Sequence, residues 1–105
     1  MNKYEIIYNL LKSLNIPVAY DHFDSNKKVN PPFMTYRELE QDTFKGDNKT
    51  YFRDYNFEIE VVTIKKEPNL QNRIEELLTN NNIPYDVSTE VWDEEEKIYH
   101  NFYEI

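Results

Sequence analysis

The chain has 105 residues, which suits a single domain over residues 1–105 with a modest core. Its formal net charge of −8 argues against capture of a nucleic-acid backbone, because such binding needs clustered Lys and Arg. The absence of Cys excludes disulfides and zinc–thiolate sites, and no stretch approaches the roughly 20 apolar residues of a membrane span. Without an apolar run after a basic start there is no sign of a signal peptide, so we expect a soluble cytoplasmic protein.

The first third of the chain predicts one helix and one strand. Residues 3–14 place apolar side chains at helical spacing, and Pro17 follows where the helix should stop. Residues 18–23 are predicted to be a short apolar link, and residues 24–30 a polar loop. Residues 33–43 alternate moderately and predict a strand.

Residues 51–64 form the clearest strand of the sequence. Phe57, Ile59 and Val61 alternate with Glu58 and Glu60, which predicts one buried and one wet face. The preceding residues, 44–50, contain the chain's only Gly beside Asp and Asn, and these residue types favour the turn of a hairpin.

The remaining elements are a helix and a second hairpin. Pro68 suits the first position of a helix, and apolar residues at helical spacing follow it up to an Asn run at 80–82. Residues 85–92 alternate as a strand with Tyr85, Val87, Thr89 and Val91 on one face. Residues 93–97 predict a charged turn, and residues 98–105 a final strand. The order α-β-β-α-β-β predicts an α+β fold, with an antiparallel four-stranded sheet and two helices packed on one face.

Two helix ends repeat one another in sequence. LLKSLNIP at 10–17 and LLTNNNIP at 77–84 share Leu-Leu, Asn, Ile and Pro at the same offsets. One interpretation is an internal α-β-β repeat. The other is that these residues commonly occur wherever a helix ends and a strand follows.

No residue pattern reaches the standard of a catalytic or metal site. His22 and His100 lack the spacing of metal ligands, so a surface or packed role is the more common one for each. Glu58 and Glu60 lie on the predicted wet face. The acidic run 93–96 fits a solvated turn better than a calcium loop. We therefore expect no enzyme activity, no catalytic residue, no metal and no cofactor.

Tyrosine is the distinctive side chain of the predicted strands. The chain has nine Tyr and six Phe, more aromatics than one small sheet face must bury. Tyr is enriched at protein interfaces because its ring packs while its hydroxyl stays wet. These residues therefore form either a Tyr-rich core or an assembly interface.

Several segments together resemble a family of small proteins from phages and prophages of Gram-positive bacteria. The matching segments cover nearly the whole chain in order: IPVAYDHF at 16–23, PPF-x-x-Y at 31–36, F-x-G-D-N-x-x-Y at 44–51, F-E-I-E-V-V-T-x-K-K-E-P at 57–68 and E-x-W-x-x-E-E-K-I-Y at 90–99. Members of this family resemble head–tail connector or tail terminator proteins. The family pattern often has Ala where Gly46 stands and Leu-Tyr where Val61 and Val62 stand.

The resemblance implies a structural virion protein that assembles with itself as a ring, commonly a hexamer, at the end of the tail tube. The implied partners are the tail-tube and head-completion proteins, with no sequence-specific nucleic-acid binding and no membrane. The implied location is the host cytoplasm during assembly and then the head–tail junction of the virion. The residues that we expect at protein interfaces are Phe44, Asp47, Asn48, Tyr51, Tyr99 and Tyr103.

Three other functions remain open from the sequence. The first alternative is an acidic DNA mimic that inhibits a host defence nuclease, although the acids are spread over all the elements. The second is a metal-dependent hydrolase that uses Glu58, Glu60 and His100. The third is an interaction domain that has this fold by coincidence.

Overall fold

The computed structural model describes residues 2–26, 28–39 and 55–105. Within them lie two helices and five strands, in the order α-β-β-β-α-β-β. The elements are α1 (Lys3–Lys12), β1 (Val18–Tyr20), β2 (Phe33–Glu38), β3 (Phe57–Thr63), α2 (Pro68–Asn80), β4 (Asp86–Asp93) and β5 (Ile98–Glu104).

The strands form one mixed sheet in the order β1-β2-β3-β5-β4 over the described residues. β1 runs parallel to β2, and the other neighbouring pairs are antiparallel. The predicted fold, a four-stranded and wholly antiparallel sheet, is therefore wrong, although the α+β class stands. The error lies in residues 18–23, which were interpreted as a link. Three residues are too few for the alternation of a strand to show in sequence.

α1 begins at a capping box. The Asn2 side chain accepts a hydrogen bond from the Glu5 N–H at 2.9 Å, and the Glu5 carboxylate accepts one from the Asn2 N–H at 3.3 Å. These two bonds satisfy backbone donors that the first helical turn leaves unpaired.

Both helices end in the same way, at the two segments that repeat in sequence. Asn15 and Asn82 have φ of 61° and 58°, in the left-handed region that Asn tolerates better than most residues. After α2 the Ile83 N–H donates to the Leu78 carbonyl at 2.9 Å, which closes the helix end. The shared Asn-Ile-Pro therefore works as a stop signal in both places.

β3 lies in the centre of the sheet. Its odd residues face the helices, and Phe57 and Ile59 are fully buried. The chain enters β3 through Asn56, whose side chain donates to the Leu39 carbonyl at 2.7 Å. The predicted strands 33–43 and 51–64 are observed at Phe33–Glu38 and Phe57–Thr63. Their residues 40–43 and 51–54, and the predicted turn 44–50, lie outside the described residues.

Buried residues from both helices and from one side of the sheet form a single core. Ile7 and Leu11 of α1 and Ile74 and Leu78 of α2 are fully buried in it. Burying a side chain of this size stabilises the fold by about 1.5–3 kcal/mol. The core residues are Ile7, Leu11, Leu14, Met34, Tyr36, Phe57, Ile59, Val61, Leu70, Ile74, Leu78, Ile83, Tyr103 and Ile105.

We call the opposite side of the sheet the open face. Side chains of consecutive strand residues alternate in direction, so the residues that precede and follow a core residue along its strand point to the open face. The open face carries Thr35 and Arg37 from β2, Glu58 and Glu60 from β3, and His100 and Phe102 from β5.

Candidate functional site

The predicted interface residues fall into two groups. Phe44, Asp47, Asn48 and Tyr51 lie outside the described residues. Tyr99 and Tyr103 both lie on β5, on the side of the sheet that faces the helices. The structure places these two tyrosines in different environments, and only Tyr99 is close to an exposed surface.

Tyr103 is a core residue. It is 1% exposed, and its hydroxyl donates to the Glu75 carboxylate at 3.1 Å. Burial raises the pKa of Tyr103, and the nearby Glu75 charge raises it further. Its ring also meets Tyr85 edge to face, with centroids 6.0 Å apart. In this chain Tyr103 is therefore enclosed and offers no contact surface, contrary to the prediction of an interface role.

Tyr99 belongs to a partly exposed aromatic pair. Its ring centroid lies 4.6 Å from that of Trp92, and the Lys66 ammonium lies 5.8 Å from the Tyr99 centroid. The same ammonium pairs with Glu90 at 3.4 Å. Trp92 is 41% exposed, so an apolar surface remains at this end of the sheet.

The acidic run at 93–96 forms the turn between β4 and β5. The Asp93 carboxylate accepts the backbone N–H groups of Glu95 and Glu96 at 3.0 and 3.1 Å. Glu94 contacts Lys97 at 2.9 Å and accepts from the Trp92 indole at 3.3 Å. Hydrogen bonds from Lys97 and then Trp92 lower the pKa of Glu94. The carboxylates of Asp93 and Glu94 thus stabilise the turn.

β4 forms one edge of the sheet over the described residues. Three of its apolar side chains are exposed: Val87 at 56%, Val91 at 45% and Trp92 at 41%. We call this strand with these side chains the β4 edge. The sequence places Val87 and Val91 on one face, but the register shifts between Val87 and Thr89. Because a bulge adds one residue, Val87 and Val91 point to opposite sides.

Two carboxylates on the open face have basic partners. Glu58 pairs with Arg37 at 3.0 Å, and Glu60 Oε2 lies 2.5 Å from His100 Nδ1. The hydrolase alternative groups Glu58, Glu60 and His100, but no sequence pattern predicts the Arg37–Glu58 contact, because its strands pair only in the folded sheet. Among the described residues, no group of three or more His, Cys, Asp or Glu side chains could hold a metal ion.

Among the described residues, neither helix has the length and hydrophobicity of a membrane-spanning segment. Comparison with known proteins finds no family model, no curated protein and no solved structure that matches this chain.

Proposed function

We propose that this chain is a structural subunit of a phage neck, a tail terminator or head–tail joining protein that assembles as a ring at the end of the tail tube. The support from the sequence is the series of segments that resemble the phage and prophage family, which runs in order through nearly the whole chain. The single structural observation that supports the proposal is the β4 edge. It presents exposed apolar side chains where a second protein can add to the sheet.

A free strand edge is a common contact surface between proteins. Its backbone N–H and C=O groups can pair with a strand from another chain, and apolar side chains on either side add buried area. Val87 and Trp92 would cover such a strand from the helix side, and Val91 from the open side. A ring needs contacts between two different surfaces of each subunit, and the edge is one such surface.

The negative charge of the chain is compatible with a ring through which DNA passes. A net charge of −8 repels a phosphate backbone, so a ring of such subunits would let DNA slide without adhering to it. The repulsion comes from the charge of the whole subunit and does not require that a particular residue line the channel.

The proposal is tested most directly in the phage that encodes the chain. We expect particles without the protein to accumulate separate heads and tails, or tails of irregular length, in electron micrographs. Wild-type protein supplied in trans should restore joined particles. Joined particles of normal tail length in its absence would refute the proposed function.

The role of the β4 edge is tested separately with a Val91→Lys variant. The added charge should block pairing of this edge and prevent complementation, because an edge lysine opposes strand addition. Ile64→Lys is the matched control, since Ile64 is 60% exposed and lies beyond the end of β3. If the two variants complement equally well, the β4 edge is not an assembly contact.

A further inference from the structure

A groove lies on the open face, between the sheet and the segment that connects β1 to β2. It consists of two adjoining cavities, of about 400 and 210 Å³, which share Asp21, Thr35 and Glu60 in their walls. The larger cavity has the size of a typical ligand site in proteins. This groove is separate from the β4 edge, which lies at the far side of the sheet.

The fold builds the groove by turning the chain sharply after β1. Asp21 has a φ of 65°, and its N–H donates to the Tyr36 carbonyl at 2.7 Å. The connecting segment then packs back onto the sheet, where the Phe23 ring meets the Phe33 ring edge to face at 5.4 Å. Thr35 is buried beneath the groove.

The walls of the groove differ in chemistry. The larger cavity is lined by the carboxylates of Asp21, Asp24 and Glu60 and by the apolar side chains of Phe23, Val29 and Phe33. Among the described residues, no Lys or Arg lines this cavity. The smaller cavity adds Glu58 and Arg37, which pair with each other at 3.0 Å.

The larger cavity is lined by three carboxylates and one histidine, His22, so its formal charge is negative in either protonation state of that histidine. His22 Nδ1 lies 2.9 Å from Asp21, and His100 contacts one oxygen of Glu60. A carboxylate can accept several hydrogen bonds, so Asp21 and Glu60 retain acceptor capacity for a bound cation.

We propose that this groove binds an arginine side chain that a partner protein presents next to an apolar residue. A guanidinium group pairs with carboxylates through two parallel N–H donors and also stacks on aromatic rings. Lysine is a compact, strongly hydrated charge and fits such a mixed wall less well. The apolar neighbour would contact Phe23 and Phe33. This inference does not depend on the proposed ring, because the groove lies within one chain.

The experiment is an NMR titration of the ¹⁵N-labelled chain with the blocked peptide Ac-Gly-Leu-Arg-Gly-NH₂. We expect saturable shifts at the amides of Asp21, His22, Phe23, Thr35 and Glu60, with an affinity in the millimolar range. The same peptide with citrulline for arginine should bind at least about tenfold more weakly, since it keeps the shape and removes the charge. The lysine peptide should fall between the two.

Variants of the chain locate the site. Asp21→Asn removes one charge and keeps a residue type that tolerates positive φ, and Glu60→Gln removes a second charge. Each variant should weaken peptide binding several-fold, while Glu95→Gln in the exposed turn between β4 and β5 should leave it unchanged. Amide spectra of the free variants show whether each is folded. If Glu60→Gln does not fold, the peptide affinity of Asp21→Asn decides the test.

The proposal would be overturned by shifts confined to other parts of the chain, by equal binding of the citrulline and arginine peptides, or by unchanged binding of a folded Asp21→Asn variant. Free arginine binding as tightly as the peptide would also overturn it. That result would indicate a small-molecule site, without a contribution from the apolar neighbour.

Discussion

His100 Nδ1 lies 2.5 Å from Glu60 Oε2, across the neighbouring strands β5 and β3. The register pairs Glu60 with Phe102 and His100 with Val62, so the contact runs diagonally between the strands. An ionised carboxylate only accepts hydrogen bonds, so the imidazole in this contact carries a proton on Nδ1. The pair links two strands on the open face of the sheet.

We predict that His100 and Glu60 stabilise the fold jointly. In a double-mutant cycle with His100→Gln and Glu60→Gln, the coupling free energy should be about 1 kcal/mol, as expected for a partly buried hydrogen bond. Urea unfolding of the four proteins at neutral pH measures it. Strictly additive losses would contradict a direct interaction.

The buried hydroxyl of Tyr103 should contribute measurably to stability. Tyr103→Phe removes its hydrogen bond to the Glu75 carboxylate and should lower the free energy of unfolding by about 1–2 kcal/mol. Tyr85→Phe is the matched control, because its hydroxyl contacts the same carboxylate at the longer distance of 3.4 Å. Urea denaturation should rank the Tyr103 variant as the less stable one, and the reverse order would contradict this account.

Alkaline pH should unfold the protein through its buried tyrosines. Burial raises the pKa of Tyr36 and Tyr103 above the ordinary value of 10.0, so the folded chain keeps protons that the unfolded chain loses. The stabilisation from this difference is complete below pH 10 and is lost as the pH rises from there through the raised values. Thermal unfolding followed from pH 8 to pH 12 measures the effect. Tyr103→Phe should show a shallower decline above pH 10, and an identical slope would contradict the prediction.

Two isoleucines, one inside β3 and one just beyond its end, should differ sharply in their response to truncation. Ile59 is fully buried, so Ile59→Ala should cost about 2–5 kcal/mol, and Ile59→Val about 0.5–1.5 kcal/mol. Ile64→Ala should have little effect, because Ile64 is exposed. Chemical denaturation measures all three variants. A large loss from Ile64→Ala would show that this side chain has a contact that its exposure does not reveal.

The helices and the central strand could be predicted because their patterns are long. Ten or more residues of α1 and α2 repeat their apolar positions at the helical period, and β3 alternates from Phe57 to Val61. The Asn-Ile-Pro sequence also marked both helix ends, where Asn adopts positive φ.

The errors of the sequence analysis have local physical causes. β1 has only three residues. It is recognised as a strand by its parallel pairing with Met34–Tyr36, which no local sequence pattern predicts. The bulge in β4 shifts the register by one residue. Val87 and Val91 therefore point to opposite faces of the sheet, although the alternation in sequence places them on one face. Tyr103 was interpreted as an interface residue because Tyr serves both cores and surfaces.

The sequence by itself determined the periodicities, the helix stops, the negative charge and the aromatic content of this protein, since each is a property of a short stretch or of a total. Only the tertiary structure decided which charges meet, which tyrosine is buried, which strand forms an edge and where a groove opens. Glu60 and His100, or Asp21 and Glu60, are neighbours because strands pair and a connecting segment folds back. Such contacts depend on sheet register, and register is fixed by the packing of the whole core.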